Sequence, residues 1–268
     1  MKKIISLIAV SILVIVGLTS CGEKKAENMS VEIKVGATPV PHSEILEIAK
    51  EELSEKGYTL EVVEFTDYVT PNLALSDGEI DANFFQHIPY LDEFAKERNL
   101  ALVSAGGVHV EPMGLYSGKI KDIAEIQDGA VIAIPNDPSN GARALILLQT
   151  NGFIKLDPNA GLKATEYDII ENPRNFKFKA LEAAQLPRVL EDVDAAVING
   201  NYAIESGLNP VKDALLIEGA ESPYVNIVAV KTGEENSEKI KALMTALKSE
   251  KVKKFIEEKY QGGVVPIF

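Results

Sequence analysis

Arg143 stands just beyond the run Pro135-Asn136-Asp137-Pro138-Ser139-Asn140, between a β-type stretch at Ala130–Ile134 and a helical stretch carrying Ala144 to Gln149. A strand-to-helix loop aims backbone N–H groups outward and favours an anion there. An arginine placed in the first helical turn grips a carboxylate through two parallel hydrogen bonds. The pattern reads as a carboxylate clamp, with a surface arginine near a turn as the plainer alternative. A second group, Asp81-Ala82-Asn83-Phe84-Phe85-Gln86-His87-Ile88-Pro89-Tyr90, gathers four aromatic rings at a strand end. Phe85, His87 and Tyr90 can wall an apolar slot with a few polar handles; core aromatics around a satisfied histidine would look the same. Tyr68, ahead of a short helix, offers a second aromatic wall. Asn199 and Asn201 follow the strand Ala195–Ile198, and Asn226 lies in a later apolar run. An amide supplies donor and acceptor together, which suits a zwitterion, although each asparagine also suits a turn.

Catalytic signatures are missing. There is no G-x-S-x-G, no H-E-x-x-H and no G-x-x-x-x-G-K-[ST]. His42, His87 and His109 are 45 and 22 residues apart, and nothing in that spacing argues for a metal site with Glu44 or Asp81. The expectation is a binder, with no catalytic residue, no metal and no cofactor.

The elements that must position these residues alternate. Ile33–Val35 is a short strand, followed by a proline loop and a helix for which Ser43 is the expected N-cap. Ile45, Ile48, Ala49 and Leu53 recur at helical spacing, and Gly57 closes that helix. Strands at Leu60–Phe65, Asp81–Phe84 and Leu102-Val103 alternate with helices at Pro71–Leu75 and from Pro89 to Arg98. The rhythm restarts after Met113, with strands at Ala130–Ile134, Phe176–Ala180 and Ala195–Ile198 and a helix at Ala183–Leu190. Val225–Val230 is the last long apolar run, and two helices finish the chain. Alternation of this kind predicts mainly parallel sheets covered by helices. The expected fold is therefore α/β: two lobes joined by a hinge, the second inserted into the first. The crossings fall near Val108–Tyr116 and Pro223–Val230. Open α/β sheets bind ligands beyond the C-terminal ends of their strands, so two facing lobes share one cleft.

The only cysteine is Cys21. Lys2 and Lys3 precede an apolar run from Ile4 to Leu18, and small residues lead into that cysteine. This is the layout of a secretory signal peptide, and Leu-x-x-Cys resembles the bacterial lipobox, where the cysteine is lipidated. Fifteen helical residues span only ~22 Å, short of a ~30 Å hydrocarbon core, so the run is not a membrane anchor. The expected division is a signal peptide over 1–20, a lipidated tether over 21–32, lobe 1 over 33–111 plus 225–268, and lobe 2 over 112–224. Loss of Lys2 and Lys3 leaves 25 basic residues against 40 acidic ones. Such a chain has no electrostatic footprint for nucleic acid. The lipid must hold it at the membrane, facing the periplasm or the cell exterior.

Several segments together resemble the methionine-binding lipoproteins of ABC importers, the NlpA/MetQ family. They are Gly36-Ala37-Thr38-Pro39 with Pro41-His42-Ser43-Glu44, Asp67-Tyr68-Val69-Thr70-Pro71-Asn72, and the aromatic segment from Asp81 to Tyr90. Pro112-Met113-Gly114-Leu115-Tyr116-Ser117, Pro135 to Asn140, Gln185-Leu186-Pro187-Arg188, Asp194 to Asn199 and Ser222-Pro223-Tyr224-Val225-Asn226 continue it in order. The resemblance implies a type II periplasmic-binding-protein fold with methionine held between the lobes. Arg143 would clamp the carboxylate, Asn199 and Asn226 the polar end, and Tyr68, Phe85, His87 and Tyr90 would line the side-chain slot. A polarizable thioether packs well against aromatic rings. Partners would be an ABC permease and its separate ATPase subunit, with the membrane reached through the lipid on Cys21. The family usually has glycine directly before the arginine; here the order is Gly141-Ala142-Arg143. No acid stands out for the ligand's ammonium, which leaves backbone carbonyls. Another small apolar amino acid, a methionine derivative or a short peptide would suit the same fold, and a surface enzyme or adhesin remains an alternative.

Overall fold

The computed structural model of the protein describes residues 30–219 and 222–268. The signal peptide, Cys21 and most of the tether lie outside them. The first run of elements is β1 (Val31–Ala37), α1 (Glu44–Glu55), β2 (Tyr58–Glu64), α2 (Thr70–Asp77), β3 (Ala82–His87), α3 (Ile88–Arg98) and β4 (Leu102–Val110). Next come β5 (Gly114–Tyr116), β6 (Val131–Pro135), α4 (Pro138–Thr150), β7 (Lys155–Leu156), β8 (Ile169–Glu171), β9 (Lys177–Leu181), β10 (Ala195–Ile198), α5 (Gly200–Glu205), α6 (Pro210–Asp213) and β11 (Leu216–Ile217). The chain closes with β12 (Val225–Lys231), α7 (Glu238–Leu247), α8 (Glu250–Tyr260) and β13 (Val265–Pro266).

Two main sheets result. The first runs β13-β4-β12-β3-β1-β2, and the second runs β11-β5-β10-β6-β9. The pairs β1–β2, β1–β3, β6–β9 and β6–β10 are parallel, as strand–helix alternation demands. The strands flanking the crossings, β4, β12 and β5, pair antiparallel. The chain passes between the sheets twice, from β4 to β5 and from β11 to β12.

Burial explains the elements. Helix α1 turns Ile45, Leu46, Ala49 and Leu53 into the core and its glutamates outward. Full burial of each leucine or isoleucine side chain is worth ~1.5–3 kcal/mol. Strand β10 is buried along its whole length, as the apolar run Ala195-Ala196-Val197-Ile198 requires. Phe84 and Phe85 point to opposite faces of β3, Phe84 joining the main core and Phe85 a separate aromatic cluster, as strand alternation dictates.

Four local expectations need correction. Ser43 makes no capping hydrogen bond, because Pro39–Ser43 is already wound as a π-turn leading into α1. The strand read at Leu102-Val103 continues to Val110, since Gly106 and Gly107 are accommodated where β4 shifts register against β12. The Ala183–Leu190 helix is a 3₁₀ turn over Ala183–Val189, where Pro187 precludes regular α-helical bonding. Helix α4 opens at Pro138, so Arg143 lies in its second turn and not its first.

Candidate functional site: a cleft between the two sheets

Strand ends and the turns after them build one enclosed cleft. Its lining includes Tyr68, Phe85, His87 and Tyr90 from the first sheet's side, and Arg143, Asn140, Asn199, Gly200 and Asn201 from the second. Glu111 comes from the first crossing and Asn226 from the start of β12, just after the second. All seven ligand-site residues expected from the sequence therefore meet in one place.

The aromatic side is a box. The Tyr68 ring lies 5.7 Å from Phe85 and 5.8 Å from Tyr90, and Phe85 lies 6.1 Å from Tyr90, centroid to centroid. Tyr90 Oη donates to the Tyr68 carbonyl at 2.8 Å, which fixes two walls to each other. Tyr68 Oη donates to Asn201 Oδ1 at 2.5 Å, which ties the box to the opposite side.

The polar side is held by α4. Asp137 caps that helix, accepting from the Asn140 backbone N–H at 2.9 Å and from its side-chain amide at 3.0 Å. Burial raises the Asp137 carboxyl, against those same hydrogen bonds. Asn140 Oδ1 is thereby aimed into the cleft, where it accepts from Asn199 Nδ2 at 2.8 Å. His87 Nδ1 accepts from the Tyr90 N–H, so its Nε2–H donates to Asn140 Oδ1 at 3.1 Å. Burial, followed by the Arg143 charge, holds the His87 imidazole down to about 3, so it is neutral.

Arg143 is almost wholly buried at 2% exposure. Its Nε donates to Glu218 Oε1 at 3.0 Å, and its Nη2 donates to Glu218 Oε2 and, at 2.8 Å, to the Glu111 carbonyl. The guanidinium also lies 4.3 Å over the Tyr224 ring. Among the described residues Nη1 has no partner. Asn199 Oδ1 and Asn201 Nδ2 are likewise buried without one. Buried polar atoms left unpaired are costly unless something else pairs them. This cleft therefore presents a cationic donor, a neutral donor and an acceptor beside an apolar box, a combination that suits a small amphipathic zwitterion.

Reasoning from the sequence missed Glu111, Asn140, Asn201 as a contact of Tyr68, and Glu218. Asn140 sits inside the motif that flagged Arg143, so its capping bond to Asp137 was the available signal. Glu111 and Glu218 carried none. Two of the three histidines do converge, but on Glu111 and not on Glu44 or Asp81: His109 Nε2 and His42 Nε2 lie 2.7 and 3.1 Å from Glu111 Oε1. This is the one group among the described residues whose metal-ligating atoms approach each other. His109 Nε2 is hydrogen-bonded to Glu111, and His42 Nε2 is shared between the same carboxylate and Asn226 Oδ1 at 3.2 Å.

Comparison with known proteins agrees with this geometry. The family described as NlpA lipoprotein matches residues 33–268. The methionine-binding lipoprotein MetQ of Bacillus subtilis is 46% identical over 256 residues, which cover 93% of each chain. A solved nutrient-binding protein from Burkholderia cenocepacia, bound to methionine, is 48% identical with a TM-score of 0.85, covering 88% of this chain and 100% of that one. A periplasmic substrate-binding protein of an ABC transporter from Coxiella burnetii is 45% identical, also at TM-score 0.85, over 88% of this chain and 100% of its own. The α/β architecture expected from the sequence is the one these structures have. On the extent of these matches, and with its strand ends converging on one cleft, the chain belongs to the NlpA lipoprotein family.

Proposed function

We propose that this protein is a lipid-anchored receptor at the cell membrane, facing the periplasm or the cell exterior. It captures methionine between two lobes, 33–111 with 225–268 and 112–224, and delivers it to an ABC permease driven by a separate ATPase subunit. The observation that carries the reading is the union, in one buried cleft, of the Tyr68–Phe85–Tyr90 box with the free Nη1 of Arg143 and the unpaired amide atoms of Asn199 and Asn201. In this arrangement Arg143 takes the carboxylate, the asparagines take the remaining polar atoms, and the thioether lies against the rings, where sulfur–aromatic contacts contribute ~0.3–1.5 kcal/mol each. His87, being neutral, adds a wall without repelling the ligand's cation. The similarity to a structure bound to methionine supports the choice of ligand. Anchoring through Cys21 is supported by the lipoprotein names of the relatives and by the lack of any described helix long and apolar enough to cross a membrane.

A thermal-unfolding screen of the full chain in detergent, first unfolded and refolded to strip any retained ligand, tests this. L-Methionine at ~100 times its Kd adds ~2.7 kcal/mol, a rise of roughly 5–10 °C in Tm. No shift with methionine, alongside one with another small molecule, would overturn the substrate.

A further inference from the structure

Three amide side chains are buried against one another between α2 and β3. Asn72 and Asn83 are 0% exposed and Gln86 is 3% exposed. Asn72 Oδ1 accepts from Asn83 Nδ2 at 2.9 Å and from Gln86 Nε2 at 2.7 Å. Asn72 Nδ2 donates in return to Gln86 Oε1 at 2.9 Å. Gln86 Nε2 also donates to Asn83 Oδ1 at 2.8 Å, and Asn83 Nδ2 to the Pro71 carbonyl at 3.2 Å. Every amide nitrogen and oxygen of the three thus has a partner. A buried polar network satisfied to this degree is rigid and admits one arrangement, whereas the same network with a member missing leaves desolvated groups unpaired.

Regular alternation would put Asn83 and Gln86, three residues apart, on opposite faces of the strand. A bulge brings them together. The consecutive residues Ile227 and Val228 of β12 pair with Gln86 and Phe84, so Phe85 is an extra residue on β3. Beyond it the alternation is offset by one, and Gln86 falls on the side of Asn83. Bulges re-aim side chains in this way beside functional sites. The bulged residue is Phe85, a wall of the aromatic box. The other end of the network holds a second wall. Asn72 lies in the first turn of α2, and just ahead of that turn Asp67 Oδ1 accepts the N–H groups of Val69 and Thr70, each at 2.7 Å. Tyr68 is fixed inside this turn, its ring 5.7 Å from that of Phe85. Bonds such as Tyr68 to Asn201 reach across the cleft and need it closed. The amide network lies wholly on the first sheet's side and does not.

Building on the receptor reading, we propose that Asn72, Asn83 and Gln86 are positioning residues: an amide lock that fastens the β3 bulge to α2 and so sets the Tyr68 and Phe85 walls before the ligand arrives. A slot fixed in advance spends less of the binding energy on ordering itself. It also discriminates by shape, accepting an unbranched side chain and rejecting one of near size that branches at Cγ. Among the described residues that line the cleft, Gln86 is the only one of the three. Asn72 therefore acts on the ligand through the walls and not by contact.

Titration calorimetry with L-methionine and L-leucine on the refolded full chain reads that discrimination. Wild-type protein should prefer methionine by about 100-fold or more, the scale on which a shaped apolar pocket separates close relatives. Asn72→Ala should narrow that ratio at least about tenfold. Asn83→Ala, which spares the reciprocal Asn72–Gln86 pair, should narrow it less, and carries the test if Asn72→Ala does not fold. Leu53→Ala removes a fully buried side chain of α1 and serves as the control for lost stability. It should lower Tm and leave the ratio unchanged. Asn72→Ala or Asn83→Ala protein that is folded by circular dichroism and keeps the wild-type ratio overturns the lock. So does Leu53→Ala protein that loses the ratio equally, since lost stability alone would then explain the effect. These results differ from failure of the receptor reading, in which wild-type protein binds no methionine at all.

Discussion

Arg143 is held from three sides, by Glu218, by the Glu111 carbonyl and by the Tyr224 ring, so only Nη1 is left to meet a ligand. For the proposed ligand this leaves one donor, backed by the Glu218 carboxylate, where the sequence led us to expect a two-point clamp. Truncating one partner of a buried charge pair costs ~2–5 kcal/mol. Arg143→Ala should therefore weaken methionine binding by at least about 30-fold, read by titration calorimetry with circular dichroism to confirm folding. Near-wild-type affinity would remove Arg143 from the site. At this scale the sequence was informative wherever several functional residue types stood close together, as in Asp137-Pro138-Ser139-Asn140 with Arg143, or Phe85-Gln86-His87 with Tyr90. Glu111 was silent for a physical reason. It is one acid among 40, and while His109 stands two residues away, its other partner, His42, reaches it from a distant part of the chain.

The strand ends do the placing at the next scale. His87 ends β3, Asn199 follows β10, and Asn140 and Arg143 stand in the helix that follows β6, the positions where open α/β sheets present ligand groups. Alternation and turn residues made these strands and helices readable; the length of β4 and the 3₁₀ turn at Pro187 were not, because pairing with β12 and the proline's missing N–H decided them. Helix α5 tests how closely the second sheet approaches the crossing. A Cβ on Gly200 would stand 2.8 Å from Glu111 Cβ and 3.3 Å from the Pro112 carbonyl. Overpacking of this kind costs ~1–3 kcal/mol. Gly200→Ala should lower Tm by about 3–10 °C, followed by circular dichroism; an unchanged Tm would mean that the crossing yields freely at this point.

Across the whole molecule, the two sheets are linked by two crossings and by side chains that span the cleft. Tyr202 Oη donates to the Thr66 carbonyl at 3.2 Å, Tyr68 bonds Asn201, His87 bonds Asn140, and Lys163 pairs with Glu93. These contacts describe a closed arrangement, and two adjacent crossing strands are a natural hinge. The alternation of elements and the restart after Met113 made two α/β units legible in the sequence. The register that sets His109 opposite Asn226, and so assembles the polar end of the cleft, was not, because it follows from the packing of the finished sheet. The central claim is capture of methionine in this cleft. A crystal structure of the refolded protein grown with L-methionine tests it most directly. The account predicts one molecule per chain, its thioether among Tyr68, Phe85 and Tyr90 and its carboxylate on Arg143 Nη1. Methionine bound outside the cleft, or turned with its carboxylate away from Arg143, would contradict it.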